Sequence, residues 1–135
     1  MRVFASVSLV LAMSAATAAS AADFDGSVPL TCTAEQAHDC LPTADKCTRM
    51  KPESDIAPVF GIDFAKKEIR SPYRTALLPV LHTTSNADSL VLQGAQLLIA
   101  WSALIDKKTG ALTVAIADSK GSYVAFGHCK VTPAK

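Results

Sequence analysis

At 135 residues, half of them hydrophobic and 19% charged, the chain is long enough for one core and too apolar to be intrinsically disordered. Its formal charge is +1, and zero once Arg2 is set aside. With no basic stripe or acidic tail, nucleic acid and a charged membrane surface are set aside as partners.

The first element in chain order is a targeting segment. Arg2 is followed by an apolar run from Val3 to about Met13 and by small residues ending in Ala19-Ser20-Ala21. The run is roughly half the ~20 residues that a membrane span needs, which is the pattern of a cleaved secretory signal. Residues 1–22 are expected to be removed, leaving a single domain over 23–135, periplasmic or secreted, with no membrane span after cleavage.

Cys32, Cys40, Cys47 and Cys129 are the four cysteines, and an even count in an exported chain favours disulfides. Three connectivities exist. Cys32 and Cys40 lie ~26 Å apart if the segment is extended and ~12 Å if helical, both beyond the ~7 Å between bridged α-carbons. Between Cys40 and Cys47 the stretch LPTADK has the Pro and Asp of a turn. The expected pairs are therefore Cys40–Cys47 and Cys32–Cys129. The short Cys-x-x-Cys spacing of thiolate metal and redox sites is absent, so neither a metal nor another cofactor is expected.

TCTAEQAHDC (31–40) reads either as a short helix capped by Thr33 and Gln36 or as a polar strand, and strand is favoured. VFGIDF and KEIRS form a short hairpin joined at Ala65-Lys66. TALLPVLHTTS (75–85) reads as one strand, with Pro79 marking a bulge or an edge because it has no ladder N–H to donate. It ends at the polar turn SNADS. SLVLQG continues the sheet through a two-residue turn at Gly94-Ala95, placing Leu90, Leu92, Leu97 and Ile99 on one face, although a longer loop would also join these strands.

The last three strands carry the strongest pattern. In DKKTG, Asp106 accepts from the turn amides and Gly110 supplies positive φ, setting Ile105 opposite Leu112, Ala103 opposite Val114 and Trp101 opposite Ile116. DSKG reads as a three-residue loop ending in Gly121, with Asp118 opposite Ser122. That places Val124, Phe126 and His128 on the same large apolar face as Trp101. A one-residue slip would exchange the faces.

The expected fold class is all-β: an antiparallel up-and-down meander of some seven to nine strands, closing into a small barrel or clam and stapled by disulfides. PES (52–54), Phe60-x-x-x-Phe64 with Asp63, LVLQG (90–94), WSALID followed by KKTG (101–110) and FGHC (126–129) together resemble an uncharacterised group of small secreted proteobacterial proteins. The resemblance implies an exported single domain, and no activity, ligand or partner comes with it.

Around His38, His82 and His128 there is no G-x-S-x-G, H-E-x-x-H or Gly-rich phosphate loop. No catalytic residue is assigned, and the sequence leans away from an enzyme. The candidate ligand-binding residues are Trp101, Phe126 and His128, a stacking wall and a proton donor at the mouth of the expected barrel. They point to a non-catalytic binding module for a small apolar ligand or an envelope protein partner. The alternative is an inhibitor of a secreted or periplasmic enzyme, inserting the LPTAD loop and the chain ends.

Overall fold

The computed structural model describes residues 24–50, 58–70 and 77–133. The expected signal segment, PES and the Thr75-Ala76 start of the expected strand lie outside these residues. Ten strands are described: β1 (Leu30–Cys40), β2 (Thr48–Arg49), β3 (Val59–Asp63), β4 (Glu68–Arg70), β5 (Leu77–Pro79), β6 (His82–Ser85), β7 (Ser89–Gln96), β8 (Ile99–Asp106), β9 (Ala111–Ala117) and β10 (Ser122–Val131). They form one antiparallel sheet in the order β5-β4-β3-β1-β10-β9-β8-β7-β6, with β2 added beside β1. Neighbours along this path are consecutive in the chain except at β3-β1, where β2 intervenes, and at β1-β10, where the first and last strands pair. The sheet curls into a half-barrel because one of its faces is apolar and must be covered.

The ends of the strand run meet in the middle of the sheet. β1 pairs with β10 from Leu30↔Val131 to Cys40↔Ser122, with a bulge between Ala34 and Gln36. The Cys32–Cys129 disulfide joins directly opposed residues, and Cys40–Cys47 closes the loop above β1. Both pairs are those expected from the sequence, and TCTAEQAHDC is strand.

The two sheet edges are supplied by a single stretch of chain. The expected strand through 85 is in fact β5, a corner at Val80-Leu81, and β6. Val80 N donates to Lys67 O at 2.8 Å on one edge, and Leu81 N donates to Gln93 O at 2.9 Å on the other. Pro79 ends β5, as a residue without an amide proton must. The corner closes over Gly94, where an added Cβ would stand 2.2 Å from Pro79 O and 2.5 Å from the Trp101 ring. Only glycine fits there, so Gly94 lies inside β7 and does not turn the chain. The expected Gly94-Ala95 turn moves to Leu97-Leu98, with Gln96 paired to Ile99. Leu90 and Leu92 are buried as expected, while Leu97 sits on the turn itself with φ 56°.

The β8–β9 hairpin keeps the expected register, with Ile105↔Leu112, Ala103↔Val114 and Trp101↔Ile116. Asp106 Oδ1 accepts from Lys108 N at 2.9 Å and Thr109 N at 2.8 Å, and Gly110 takes φ 73°. These amide bonds, that from Thr109 first, hold the Asp106 carboxyl below its usual range.

The β9–β10 register differs by one residue. Ala117 pairs with Ser122, and Asp118 N donates to Gly121 O at 3.0 Å, so only Ser119 and Lys120 make the turn. Gly121 keeps an ordinary φ; glycine is required there because a Cβ would meet Cys40 O at 2.6 Å. Gly121 therefore marks a close approach to Cys40 and not the end of a three-residue loop. The slip turns Val124, Phe126 and His128 to the outer face and brings Tyr123, Ala125, Gly127 and Cys129 inward.

The interior is built from Leu30, Cys32, Leu90, Leu92 and Ile105, the largest side chains that are fully covered. Burying each large aliphatic group contributes about 1.5–3 kcal/mol. Phe24 and Phe64 pack against this core. They lie at the end of the sheet that carries the Phe64–Lys67, Asn86–Asp88 and Lys107–Gly110 turns. The opposite end, called upper below, carries the Leu97-Leu98 and Ser119-Lys120 turns and the loop between Cys40 and Cys47.

Candidate functional site

Trp101 enters the site from β8, a strand whose residues alternate between outer face and core. It is 5% exposed and lines an apolar pocket of about 40 Å³ with Phe60, Leu78, Ala103, Val114 and Ile116 among its walls. Its Nε1 is buried and has no hydrogen-bond partner among the described residues. A buried donor left unpaired costs about 1–3 kcal/mol, so it needs a reason.

Asp39 Oδ1, another buried side-chain atom without a partner among the described residues, falls in the same transverse layer. Asp39, Tyr123, Ile116, Trp101 and Gly94 are successive Cα partners across β1, β10, β9, β8 and β7. An acceptor and a donor, both unsatisfied, thus occupy one layer near the upper end of the half-barrel. Sequence reasoning passed over Asp39 because the bulge at Ala34–Gln36 reverses the alternation of β1 partway along, and nothing in the residue string marks it.

The other two expected site residues do not join Trp101. Phe126 is on the outer face, 43% exposed, with its ring 6.5 Å from that of His38 in an edge-on arrangement. His128 is also outside, with Nδ1 3.1 Å from Glu35 Oε1. This gives His128 a neighbouring acid, in the open, with both side chains more than half exposed. An exposed pair of this kind contributes at most about 1 kcal/mol.

A second hollow, about 180 Å³, lies on the outer side of β1, β3 and β4, above Gly61 and bordered by Thr31, Asp63, Lys66, Glu68, Arg70 and Thr132. Its rim is partly self-neutralised, since Lys66 Nζ lies 3.5 Å from Asp63 Oδ2. All four cysteines are in disulfides, which fits an oxidising, extracytoplasmic environment. Among the described residues no helix is long and apolar enough to cross a membrane, and no three His, Cys, Asp or Glu side chains gather as metal ligands.

The exposed leucines are the second feature not expected from the sequence. Leu97 and Leu98, 97% and 79% exposed, form the tip of the β7–β8 hairpin. The string QLLI carries no turn residue, and only the demand that Gly94 lie under Pro79 shows that the chain must turn later. Comparison with protein-family models, with curated proteins and with solved structures finds no match.

Proposed function

We propose that this chain is a non-catalytic binding module, periplasmic or secreted, that takes a small, largely apolar molecule against Trp101. The observation that carries this reading is an apolar pocket lined by Trp101, whose covered indole N–H has no partner among the described residues: a ligand with one hydrogen-bond acceptor on a hydrocarbon body satisfies that donor once the surrounding walls move. At about 40 Å³ the pocket holds a small end group. Larger ligands require its half-buried walls, Phe60, Leu78 and Ile116, to move. Leu78 lies on β5, a three-residue strand at the sheet edge, so it is the wall with the least holding it.

Trp101 is the single tryptophan, so its fluorescence reads the pocket directly. Titration with straight-chain 2-ketones from butanone to octanone is expected to give a saturable spectral change with the native protein. Affinity for the ketones, but not for the matching alkanes, should fall in Trp101→Phe, followed by calorimetry. No saturable change with any ketone up to its solubility limit refutes the reading.

A second reading is favoured by the Cys40–Cys47 loop, whose residues 41–46 are all exposed on a disulfide-closed frame. That is a shape suited to insertion into an enzyme cleft, as in an inhibitor of a secreted or periplasmic enzyme. Failure of the purified protein to inhibit a panel of envelope proteases would remove this reading.

A further inference from the structure

The outer face of β7, β8, β9 and β10 has an unusual composition for a solvated sheet. The alternation of these strands places twelve residues there in three transverse rows, above a fourth of Ser89, Asp106, Ala111 and His128 at the turn-bearing lower end. The lowest of the three is Val91, Leu104, Thr113 and Phe126, the middle one Gln93, Ser102, Ala115 and Val124, and the upper one Ala95, Ala100, Ala117 and Ser122. None of the twelve is charged. Leu104 and Phe126 are 44% and 43% exposed, and Ala95, Ala100, Ala115 and Ala117 are all exposed. An antiparallel sheet with one face on its core ordinarily turns polar residues to water on the other. Elsewhere this chain does so, since Glu35, Glu68 and Arg70 stand on the outer side of β1 and β4. An exposed apolar patch of this breadth marks an interaction site.

We infer that a second copy of this chain covers the face, through an isologous contact about a twofold axis running between β8 and β9. The absence of charge is the first argument. The three rows offer no cation or anion with which to recognise a charged partner, and Asp106 and His128 at the lower border fall opposite Ala111 and Ser89 of the other copy, so two copies meet here without like charges opposed and without burying an ion. Shape is the second. The axis sets β8 over β9 of the other copy and β7 over its β10, with strand directions within about 30° as in stacked sheets. Leu104 then faces Thr113 and Phe126 faces Val91, each large side chain against a smaller one. Ser102 faces Ala115 and Ala100 faces Ala117, so the backbones approach closely at the centre.

Area sets the strength. Four strands at ~4.8 Å spacing and five residues at ~3.4 Å each give a footprint of about 19 by 17 Å, some 320 Å² in plan per copy. That is short of the ~800 Å² per partner of a stable complex, so the dimer is weak and concentration-dependent.

Sedimentation equilibrium on the disulfide-intact protein, from ~10 µM to ~1 mM, tests the inference. The native chain is expected to pass from monomer to dimer in that range. Leu104→Glu and Thr113→Lys should each weaken self-association at least about tenfold, with Trp101 fluorescence unchanged because both positions are exposed. An equimolar mixture of the two should restore association, since Leu104 of one copy faces Thr113 of the other. Arg70→Glu, on another part of the sheet, should leave it intact. A native chain that stays monomeric at 1 mM assigns the face to some other occupant and overturns the inference. So does a mixture that fails to associate, or an Arg70→Glu variant as weakened as Leu104→Glu.

Discussion

Replacing both cysteines of one disulfide with alanine, in two separate double variants, separates the contributions of the two bonds. Cys32 and Cys129 are 97 positions apart, and Cys40 and Cys47 are 7 apart. If a cross-link acts by restricting the unfolded chain, the longer loop contributes about 4.7 kcal/mol and the shorter about 2.5 kcal/mol. The gap of about 2 kcal/mol is a lower bound, because Cys32 and Cys129 are buried and their truncation also leaves a void, whereas Cys47 is exposed. In a domain of this size about 2 kcal/mol separates the melting temperatures by roughly 8 °C. Urea unfolding followed by Trp101 fluorescence, without reductant, measures both. The Cys32→Ala/Cys129→Ala variant should be the less stable, and against a typical total of ~5–15 kcal/mol it should be close to unfolding at body temperature. Equal losses, or a larger loss from Cys40→Ala/Cys47→Ala, would show that loop length does not govern the stabilisation.

Three further outcomes follow from local geometry. Gly94→Ala drives a methyl into Pro79 O and the Trp101 ring and should cost about 3 kcal/mol in urea unfolding, with a shift in Trp101 emission. Leu97 pays for its left-handed φ of 56°, so Leu97→Gly should be more stable by about 0.5–1 kcal/mol in the same assay despite the loss of a side chain. Asp106 has its folded pKa lowered, chiefly by the Thr109 amide; its charge therefore stabilises the fold above the unfolded carboxylate range, and that contribution disappears as pH falls below about 4. Stability curves of native protein and Asp106→Asn should differ at pH 7 and converge toward pH 2, and a constant offset across that range would contradict the assignment.

How far the residues reveal the fold depends on whether a local rule has one physical cause. Asp106 and Gly110 were legible because the turn between them needs both an acceptor and a positive φ, and the two requirements together fix the loop length. Gly121 has two equally good reasons to be glycine, and the operative one, the nearness of Cys40 O, is a tertiary contact invisible in DSKG. One residue of loop length then reverses every side chain of β10, which is why Phe126 and His128 leave the expected site while Trp101 stays. The cysteine pairs were recoverable because reach along the chain removes Cys32–Cys40 and the turn residues of LPTADK select Cys40–Cys47, neither of which needs knowledge of packing. The orphaned Trp101 Nε1 and Asp39 Oδ1 were not, since an unsatisfied atom is defined by what surrounds it.

Because β1 and β10 lie side by side and are bonded at Cys32 and Cys129, tension applied through the chain on either side of those residues runs across a covalent link. Mechanical load can unzip Leu30, Thr31, Lys130 and Val131 from one another and then reaches sulfur. The residues from 33 to 128, including the pocket and the outer face, lie off the load path, so stretching leaves them folded until that bond is reduced.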